Sequence, residues 1–211
     1  MQIVVAGAAG AVGNKLVSEL ASGGHSVVGL VHSQDKFTQV EEAGGMPVLA
    51  DVTDKSTLED PLSDADVVVF AAGSGGNAVD EVDRDGAINL IDVANEQGVD
   101  RFVMLSSMAA GEPERGPDSL RDYLVAKGEA DDYLQSSDIE YVIVKPASLT
   151  DDGGAGEIQV GAGDSLPSGK IARSDVAKTL SFCATAEGIR DITFEVIEGD
   201  EPITDALAFT A

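Results

Sequence analysis

The feature that most constrains the fold is the junction between an apolar run and a series of glycines near the N-terminus. Residues 2–6 (QIVVA) are rich in β-branched side chains, and Gly7, Gly10 and Gly13 follow at once. A strand that ends in GxxGxxG and leads into a helix is typical of a turn that binds dinucleotide phosphates. Gly7 would make the turn, Gly10 would let the backbone approach the pyrophosphate, and Gly13 would let helix and strand pack closely. A tight βα turn without a ligand is the alternative, because the three glycines alone are a weak signal.

Short apolar runs alternate along the chain with longer segments of helical periodicity. The runs are continuous, as in VVVFAA at 67–72, which is typical of parallel strands covered on both faces. The repeated strand–helix order predicts an α/β fold, a Rossmann-type doubly wound parallel sheet in one domain over residues 1–211. The predicted strands are 2–6, 26–31, 46–50, 66–71, 101–105 and 140–144, and the predicted helices are 12–21, 35–43, 82–97 and 120–135.

The texture of the sequence changes after Pro146. Residues 150–163 are rich in Gly and Asp and predict a loop. A helix at 175–186, a strand at 192–197 and a short helix from Pro202 are predicted to follow. This tail is too short for a second domain. We therefore expect residues 146–211 to form a small cap on the substrate side, packed on the carboxyl edge of the sheet.

The charge balance excludes several classes of partner. Asp and Glu number 38 against 13 Lys and Arg, a formal net charge of −25. Nucleic acids and anionic membranes reward basic patches, so neither is an expected partner. The spread of the acids favours a solvated coat suited to a salty cytoplasm, where salt screens self-repulsion; an ordinary acidic protein is the alternative. No apolar run approaches the ~20 residues that cross a bilayer, and no signal-peptide pattern opens the sequence, so a cytoplasmic location is predicted.

The sequence gives little sign of a metal or thiol site. Cys183 is the single cysteine, which excludes an internal disulfide and predicts a buried core residue. The acid pair Asp151 and Asp152 is interpreted as loop solvation, and no cluster of His, Asp and Glu predicts a metal.

The end of the second predicted strand bears on the choice between NAD and NADP. An acidic residue about 20 positions beyond the glycines would hold a ribose 2′-hydroxyl. The strand ends in Leu30-Val31-His32-Ser33, without an acid at its tip, and Asp35 comes slightly late. His32, Ser33 and Lys36 could instead surround a 2′-phosphate. This pattern favours NADP and leaves NAD open; an exposed loop histidine is the alternative for His32.

Taken together, motifs along nearly the whole chain resemble the atypical short-chain dehydrogenases/reductases of the NAD(P)H-binding, epimerase/dehydratase-like group. The motifs that carry the resemblance are GAAGAVG at 7–13, ADV at 50–52, FAAG at 70–73, VDRDG at 82–86, FVMLSS at 102–107, YLVAK at 123–127, VKP at 144–146, IARSDVA at 171–177 and GDEPITDAL at 199–207.

The resemblance implies a catalytic set of Ser107, Tyr123 and Lys127, with Asp83 in the place of the usual Asn. Ser107, rather than Ser106, would bind a substrate oxygen, and Tyr123 would be the acid/base. Lys127 would touch the nicotinamide ribose and lower the tyrosine pKa from about 10 toward neutrality. Lys145 stands where many relatives carry Arg. A chance pair on a helix surface is the alternative for Tyr123 and Lys127. The implied cofactor contacts are Gly7, Ala8, Ala9, Gly10, Ala11, Val12, Gly13, Asp51, Val52, Ala71, Ala72, Gly73, Ser106, Lys127, Pro146, Ala147 and Ser148.

Two functions remain open at this point. The first is an NAD(P)-dependent oxidoreductase or epimerase that acts on a small carbonyl or alcohol, with Tyr123 moving the proton. The second is a non-catalytic NADP-binding redox sensor or assembly factor. The short tail favours a small-molecule substrate, and the chain is expected to be a monomer or a homodimer.

Overall fold

The computed structural model describes residues 1–162 and 165–208. The end of the expected loop at residue 163 and the last three residues of the expected domain lie outside the described residues. The strands are β1 Gln2–Ala6, β2 Ser26–Val31, β3 Met46–Leu49, β4 Val67–Phe70, β5 Arg101–Leu105, β6 Glu140–Pro146, β7 Ser148–Thr150, β8 Glu157–Gly161, β9 Lys170–Ala172, β10 Ile192–Glu198 and β11 Glu201–Pro202. The helices are α1 Gly13–Ser22, α2 Phe37–Glu42, α3 Glu59–Leu62, α4 Gly86–Gln97, α5 Arg121–Gln135, α6 Arg173–Thr185 and α7 Ile203–Ala206.

The described strands form a main sheet in the order β11-β8-β10-β6-β5-β4-β1-β2-β3, and β7 pairs with β9 in a second, small sheet. The strands from β3 to β10 in this order run parallel, and β8 and β11 add antiparallel pairs at the edge. The order 3-2-1-4-5-6 is that of a Rossmann sheet, so the predicted fold is confirmed. The order reverses between β1 and β4, and ligands bind outside the carboxyl ends of the strands at such a switch point.

The apolar runs fill two cores, one on each face of the sheet. In β1, Ile3 and Val5 face one core together with Leu16 of α1. Val4 and Ala6 face the other core, together with Leu90 of α4. Because both faces of the strand are buried, successive residues are all apolar, and the sequence shows a continuous run instead of an alternation.

The structure differs from the sequence prediction in several elements. The expected helix over 82–97 is divided into a π-helical segment, Val79–Asp85, and α4. The expected helix over 35–43 begins with a 3-10 turn, Gln34–Lys36, before α2. The short helix α3 was not predicted.

The largest difference lies in the tail. The predicted loop over 150–163 is wrong in part, because β8 forms within it. Ile158 of β8 is buried while its neighbours Glu157 and Gln159 are exposed, the alternation of an antiparallel strand with one covered face. Glycines and acids on both sides hide this alternation in the sequence. With β10 also paired to β6, much of the tail extends the sheet instead of lying on its carboxyl edge.

Candidate active site

The glycine turn after β1 has the geometry that its sequence requires. Gly7 has a φ of 80°, the left-handed region that favours glycine, and a Cβ there would lie 2.6 Å from the backbone of Ala72. A Cβ on Gly13 would lie 2.1 Å from the Gly7 carbonyl oxygen, because α1 packs directly against the turn. A Cβ on Gly10 would meet only that same oxygen, at 3.1 Å, and its other side borders a cleft. These close approaches form a cradle that side chains would fill, so the residues fit a bound pyrophosphate.

Two side-chain amides tie the turn to the neighbouring helix. Asn14 Nδ2 donates to the Gln39 carbonyl oxygen at 2.9 Å, and Gln39 Nε2 donates to the Ala9 carbonyl oxygen at 2.9 Å. The first bond joins the start of α1 to α2, and the second joins the turn itself to α2. The turn is therefore tied to α2 through Gln39.

A cleft of about 480 Å³ opens at the carboxyl ends of β1, β2 and β4, at the switch point of the sheet. Its lining includes many of the predicted cofactor residues: Gly7, Ala9, Gly10, His32, Lys36, Asp51, Val52, Ala71, Ala72 and Gly73. The other predicted contacts lie outside this lining: Ala8, Ala11, Val12, Gly13, Ser33, Ser106, Lys127, Pro146, Ala147 and Ser148. The lining residues that were not among the predicted cofactor contacts lie next to predicted positions or at the start of the π-helical segment: Leu30, Val31, Ala50, Thr53, Ser74, Ala78 and Val82.

The residues after β2 form a small polar cluster at one end of the cleft. His32 and Lys36 line the cleft, and the Ser33 hydroxyl donates to the Asp35 carboxylate. Lys36 Nζ lies 3.6 Å from Asp35 Oδ2. The hydrogen bond from Ser33, aided by the Lys36 charge, holds the pKa of Asp35 below its usual value. A carboxylate therefore stands beside the predicted 2′-phosphate contacts.

Lys127 is embedded in the core behind the cleft. Its side chain is 1 % exposed, and Nζ donates to the Leu105 carbonyl oxygen at 2.7 Å. The ammonium lies 5.1 Å from the centroid of the Phe70 ring. Burial lowers the pKa of Lys127, and the charges of Asp131 and Asp83 oppose that shift.

The expected lowering of the Tyr123 pKa is wrong for this structure. Burial, followed by the negative charge of Asp83, raises the pKa of Tyr123 to about 12. A hydrogen bond with Ser107 lowers this pKa, whereas the charge of Asp131 raises it further. The balance goes this way because the phenol is largely enclosed and carboxylates act on it, while the Lys127 ammonium is engaged by Leu105.

Asp83 joins the catalytic candidates to the rim of the cleft. It is 1 % exposed and lies on the π-helical segment, a rare conformation that is frequent at functional sites. Its Oδ2 accepts from the Ser74 amide at 3.2 Å and from the Ser74 hydroxyl at 2.5 Å. Asp83 acts on the pKa of both Tyr123 and Lys127, and Ser107 acts on that of Tyr123, so the four predicted catalytic residues lie in one neighbourhood.

Ser106 belongs to a buried polar network next to this group, and Asp131 in that network was missed by sequence reasoning. Its hydroxyl donates to Asp131 Oδ2 at 2.7 Å, and the same oxygen lies 3.2 Å from Lys145 Nζ. Asp131 follows Lys127 by four residues on α5, a spacing that places both on one face of the helix. That spacing was the one signal in the sequence that could have revealed it.

Comparison with known proteins decides the family. A family model described as NAD(P)H-binding matches residues 7–187. The chain belongs to this NAD(P)H-binding family. It is 34% identical to an uncharacterized sugar epimerase, YhfK of Bacillus subtilis, over 98% of this chain and 99% of that protein. A candidate NAD-dependent epimerase/dehydratase from Bacillus halodurans has a similar structure, with a TM-score of 0.91, 36% identity and 96% coverage of both chains. The oxidoreductase ylbE from Lactococcus lactis follows with a TM-score of 0.90, 27% identity and coverage of 98% and 95%.

The remaining candidate features are a metal site, the single thiol and a membrane-spanning helix. Within residues 1–162 and 165–208, no group of three or more His, Cys, Asp or Glu could hold a metal ion. Asp151 pairs with Arg173 at 3.0 Å. Burial raises the pKa of the Cys183 thiol to about 12, which makes it a poor nucleophile. Across the described part of the chain, every helix is too short or too polar to span a bilayer.

Proposed function

We propose that the chain is an NADP-dependent oxidoreductase or epimerase of the short-chain type that acts on a small carbonyl or alcohol. One observation supports this proposal: Asp83 accepts from Ser74, which lines the cleft, and its charge acts on both Tyr123 and Lys127, while Ser107 acts on Tyr123. Residues 1–211 would act as one domain, and the parts of the tail from 146 onward that do not extend the sheet would lie on the substrate side.

The protein groups would divide the work as follows. The backbone N–H groups at the start of α1 would hold the phosphates, because a helix N-terminus favours anions. The nicotinamide, when bound, supplies or accepts a hydride. The Ser107 hydroxyl would hold the substrate oxygen, and the Tyr123 hydroxyl would give or take the proton. With a pKa of about 12, Tyr123 is protonated at neutral pH, which favours the role of proton donor in carbonyl reduction.

The polar cluster after β2 supports a preference for NADP over NAD. Lys36 and His32 both line the cleft and could contact a 2′-phosphate. Asp35 opposes this preference, since its carboxylate lies 3.6 Å from the Lys36 ammonium. Because the Lys36 ammonium is already paired with Asp35, its attraction for a 2′-phosphate is reduced. We therefore expect NADPH to bind more tightly than NADH by only a modest factor.

The test is NADPH oxidation against a panel of quinones, aldehydes and sugar nucleotides, followed by absorbance. With any substrate found, Tyr123→Phe should lose turnover and keep most of its NADPH affinity. Tyr133→Phe is the matched control, because the exposed Tyr133 hydroxyl bonds to Asp92 at 2.6 Å on another face of α5. Normal turnover by Tyr123→Phe would show that the proposed mechanism is wrong.

A non-catalytic NADP-binding redox sensor is the second candidate function. It is favoured by one observation: the cleft lining within the described residues does not reach Ser107, Tyr123 or Lys127. A sensor would bind NADPH without turnover on any member of the panel. The oligomeric state of a sensor, monomer or homodimer, would change when NADPH is replaced by NADP⁺. Light scattering would measure this as a change in mass.

A further inference from the structure

A buried network of charges lies behind the catalytic candidates. The Asp131 carboxylate is 2 % exposed; burial raises its pKa, and the charges of Lys145 on β6 and Lys127 on its own helix oppose that shift. The Lys145 Nζ contacts Asp131 Oδ2 at 3.2 Å and donates to the Ala110 carbonyl oxygen at 3.0 Å. A largely buried cation and a buried anion are thus placed together with little access to solvent, an arrangement that is costly unless both are well paired.

The network is hydrogen-bonded to consecutive residues at the end of β5. Lys127 donates to the carbonyl of Leu105 at 2.7 Å, and Asp131 accepts from the hydroxyl of Ser106 at 2.7 Å. The next residue, Ser107, acts on the pKa of Tyr123, and its hydroxyl donates to the Met108 carbonyl oxygen at 3.3 Å. One face of α5 therefore fixes the segment that presents Ser107.

We propose that Asp131 and Lys145 form a buried charge pair that positions Lys127 and Ser107 and sets the charge of Lys127. This inference rests on the proposed function where it takes Lys127 to be a cofactor contact. Asp131 and Lys145 are positioning residues, because they bond to Ser106, to Ala110 and to each other.

The groups that face this network come from several elements. Tyr123 and Asp131 lie on the helix of Lys127, and Asp83 acts on Lys127 from the π-helical segment. Beyond Lys145, the adjacent strand β10 places Glu195 next to it in register, and Glu195 Oε1 pairs with Arg115 at 3.1 Å. Asp131 is thus the carboxylate shared by Lys127 and Lys145.

The two members of the pair should act on Lys127 with opposite signs. Asp131→Asn removes a negative charge and leaves the Lys145 ammonium without its carboxylate, so Lys127 should lose its proton at a lower pH, by about one unit or more. Lys145→Met removes a positive charge, so Lys127 should keep its proton to a higher pH. The double variant should lie between the two single variants, and Lys145→Arg, which keeps the cation, should match the wild type.

The experiment measures the Lys127 midpoint directly, by NMR of the protein labelled with ¹³C at lysine Cε. Lys127→Met assigns the resonance, and circular dichroism checks that each variant is folded. Shifts of opposite sign support the proposal; shifts of the same sign, or none, overturn it. If Asp131→Asn fails to fold, Lys145→Met, Lys145→Arg and the double variant still decide the sign.

A parallel titration of NADPH binding against pH separates the inference from the proposed function. Where Lys127 contacts the cofactor, NADPH affinity should fall through the same midpoint and move with it in each variant. If the NMR midpoints shift with opposite signs while NADPH affinity stays independent of pH, the charge pair is supported and the cofactor role of Lys127 is refuted.

Discussion

Replacing Gly13 by alanine tests the reading of the glycine turn most directly. The new Cβ would lie 2.1 Å from the Gly7 carbonyl oxygen and 2.9 Å from its carbon. Both are backbone atoms, so the contact can be relieved only if α1 moves away from the turn. That movement would loosen the packing of Leu16 and Leu20, which are fully buried against the sheet.

The expected cost follows from two opposing effects. Overpacking of this kind costs about 1–3 kcal/mol, and a clash with backbone belongs at the upper end. Alanine recovers up to about 1 kcal/mol of helix propensity. The net loss of unfolding free energy is about 2 kcal/mol, which lowers the Tm by about 4–8 °C for a chain of this size.

Thermal unfolding followed by circular dichroism measures the effect, and two glycines provide controls. Gly153→Ala should leave the Tm unchanged, because no heavy atom lies within 4 Å of its Cβ. Gly10→Ala should also fold normally, because its Cβ has one contact, at 3.1 Å. Its methyl group would hold the pyrophosphate away from the backbone, so the affinity for NADPH should fall about 10–100-fold, the equivalent of one hydrogen bond to a charged group. A Gly13→Ala variant that melts with the wild type, or a Gly10→Ala variant that binds NADPH normally, would refute the close-approach argument.

Three further predictions follow from charge. Lys36→Ala should lower the affinity for NADPH about tenfold and leave the affinity for NADH unchanged, while Asp35→Asn should raise the affinity for NADPH. Isothermal titration measures both affinities, and equal losses for NADH and NADPH would contradict the 2′-phosphate assignment. The folded pKa of Tyr123 is raised to about 12, above an unfolded value of about 10, so the contribution of Tyr123 to stability is complete below pH 10 and is lost as the pH rises toward 12. Denaturant unfolding should show no such decline for Tyr123→Phe. A variant whose stability falls with pH as the wild type's does would contradict the raised pKa. With a net charge of −25, the Tm should rise from dilute to molar KCl while NADPH affinity holds; equal Tm values at low, intermediate and molar KCl would show that the acidic coat is incidental.

The parallel half of the fold could be predicted because its signals are local. Each buried strand is a continuous apolar run, and the glycines after β1 have one physical use in each position. The strand β8 could not be predicted in this way, because its alternation is short and depends on pairing with β10, about 35 residues later in the chain. The π-helical segment is equally silent in the sequence, since it follows the same apolar spacing as the helix it precedes.

The candidate site shows the same difference between local signals, which the sequence carries, and long-range ones, which it does not. The spacing of Tyr123 and Lys127 placed both on α5, and the resemblance placed Ser107 after β5. The electrostatics depended instead on long-range neighbours: Asp83 is 40 residues from Tyr123 in the sequence, yet its charge is the second largest influence on that pKa. A residue's type and spacing indicate what it can do, whereas its pKa is set by groups that only the tertiary structure brings close.

The location of the cations explains how so acidic a chain could hold a dinucleotide. Of the described residues that line the cleft, Lys36 is the one with a lysine or arginine side chain, and Asp35 partly neutralises it. Lys127 and Lys145 are committed to Leu105 and Asp131 in the interior. The phosphates would therefore depend on backbone dipoles at the start of α1, which are fixed in place and act at contact distance. Salt at molar concentration screens interactions beyond about 3 Å between exposed charges; it would weaken the repulsion from the acidic coat more than it weakens these contacts.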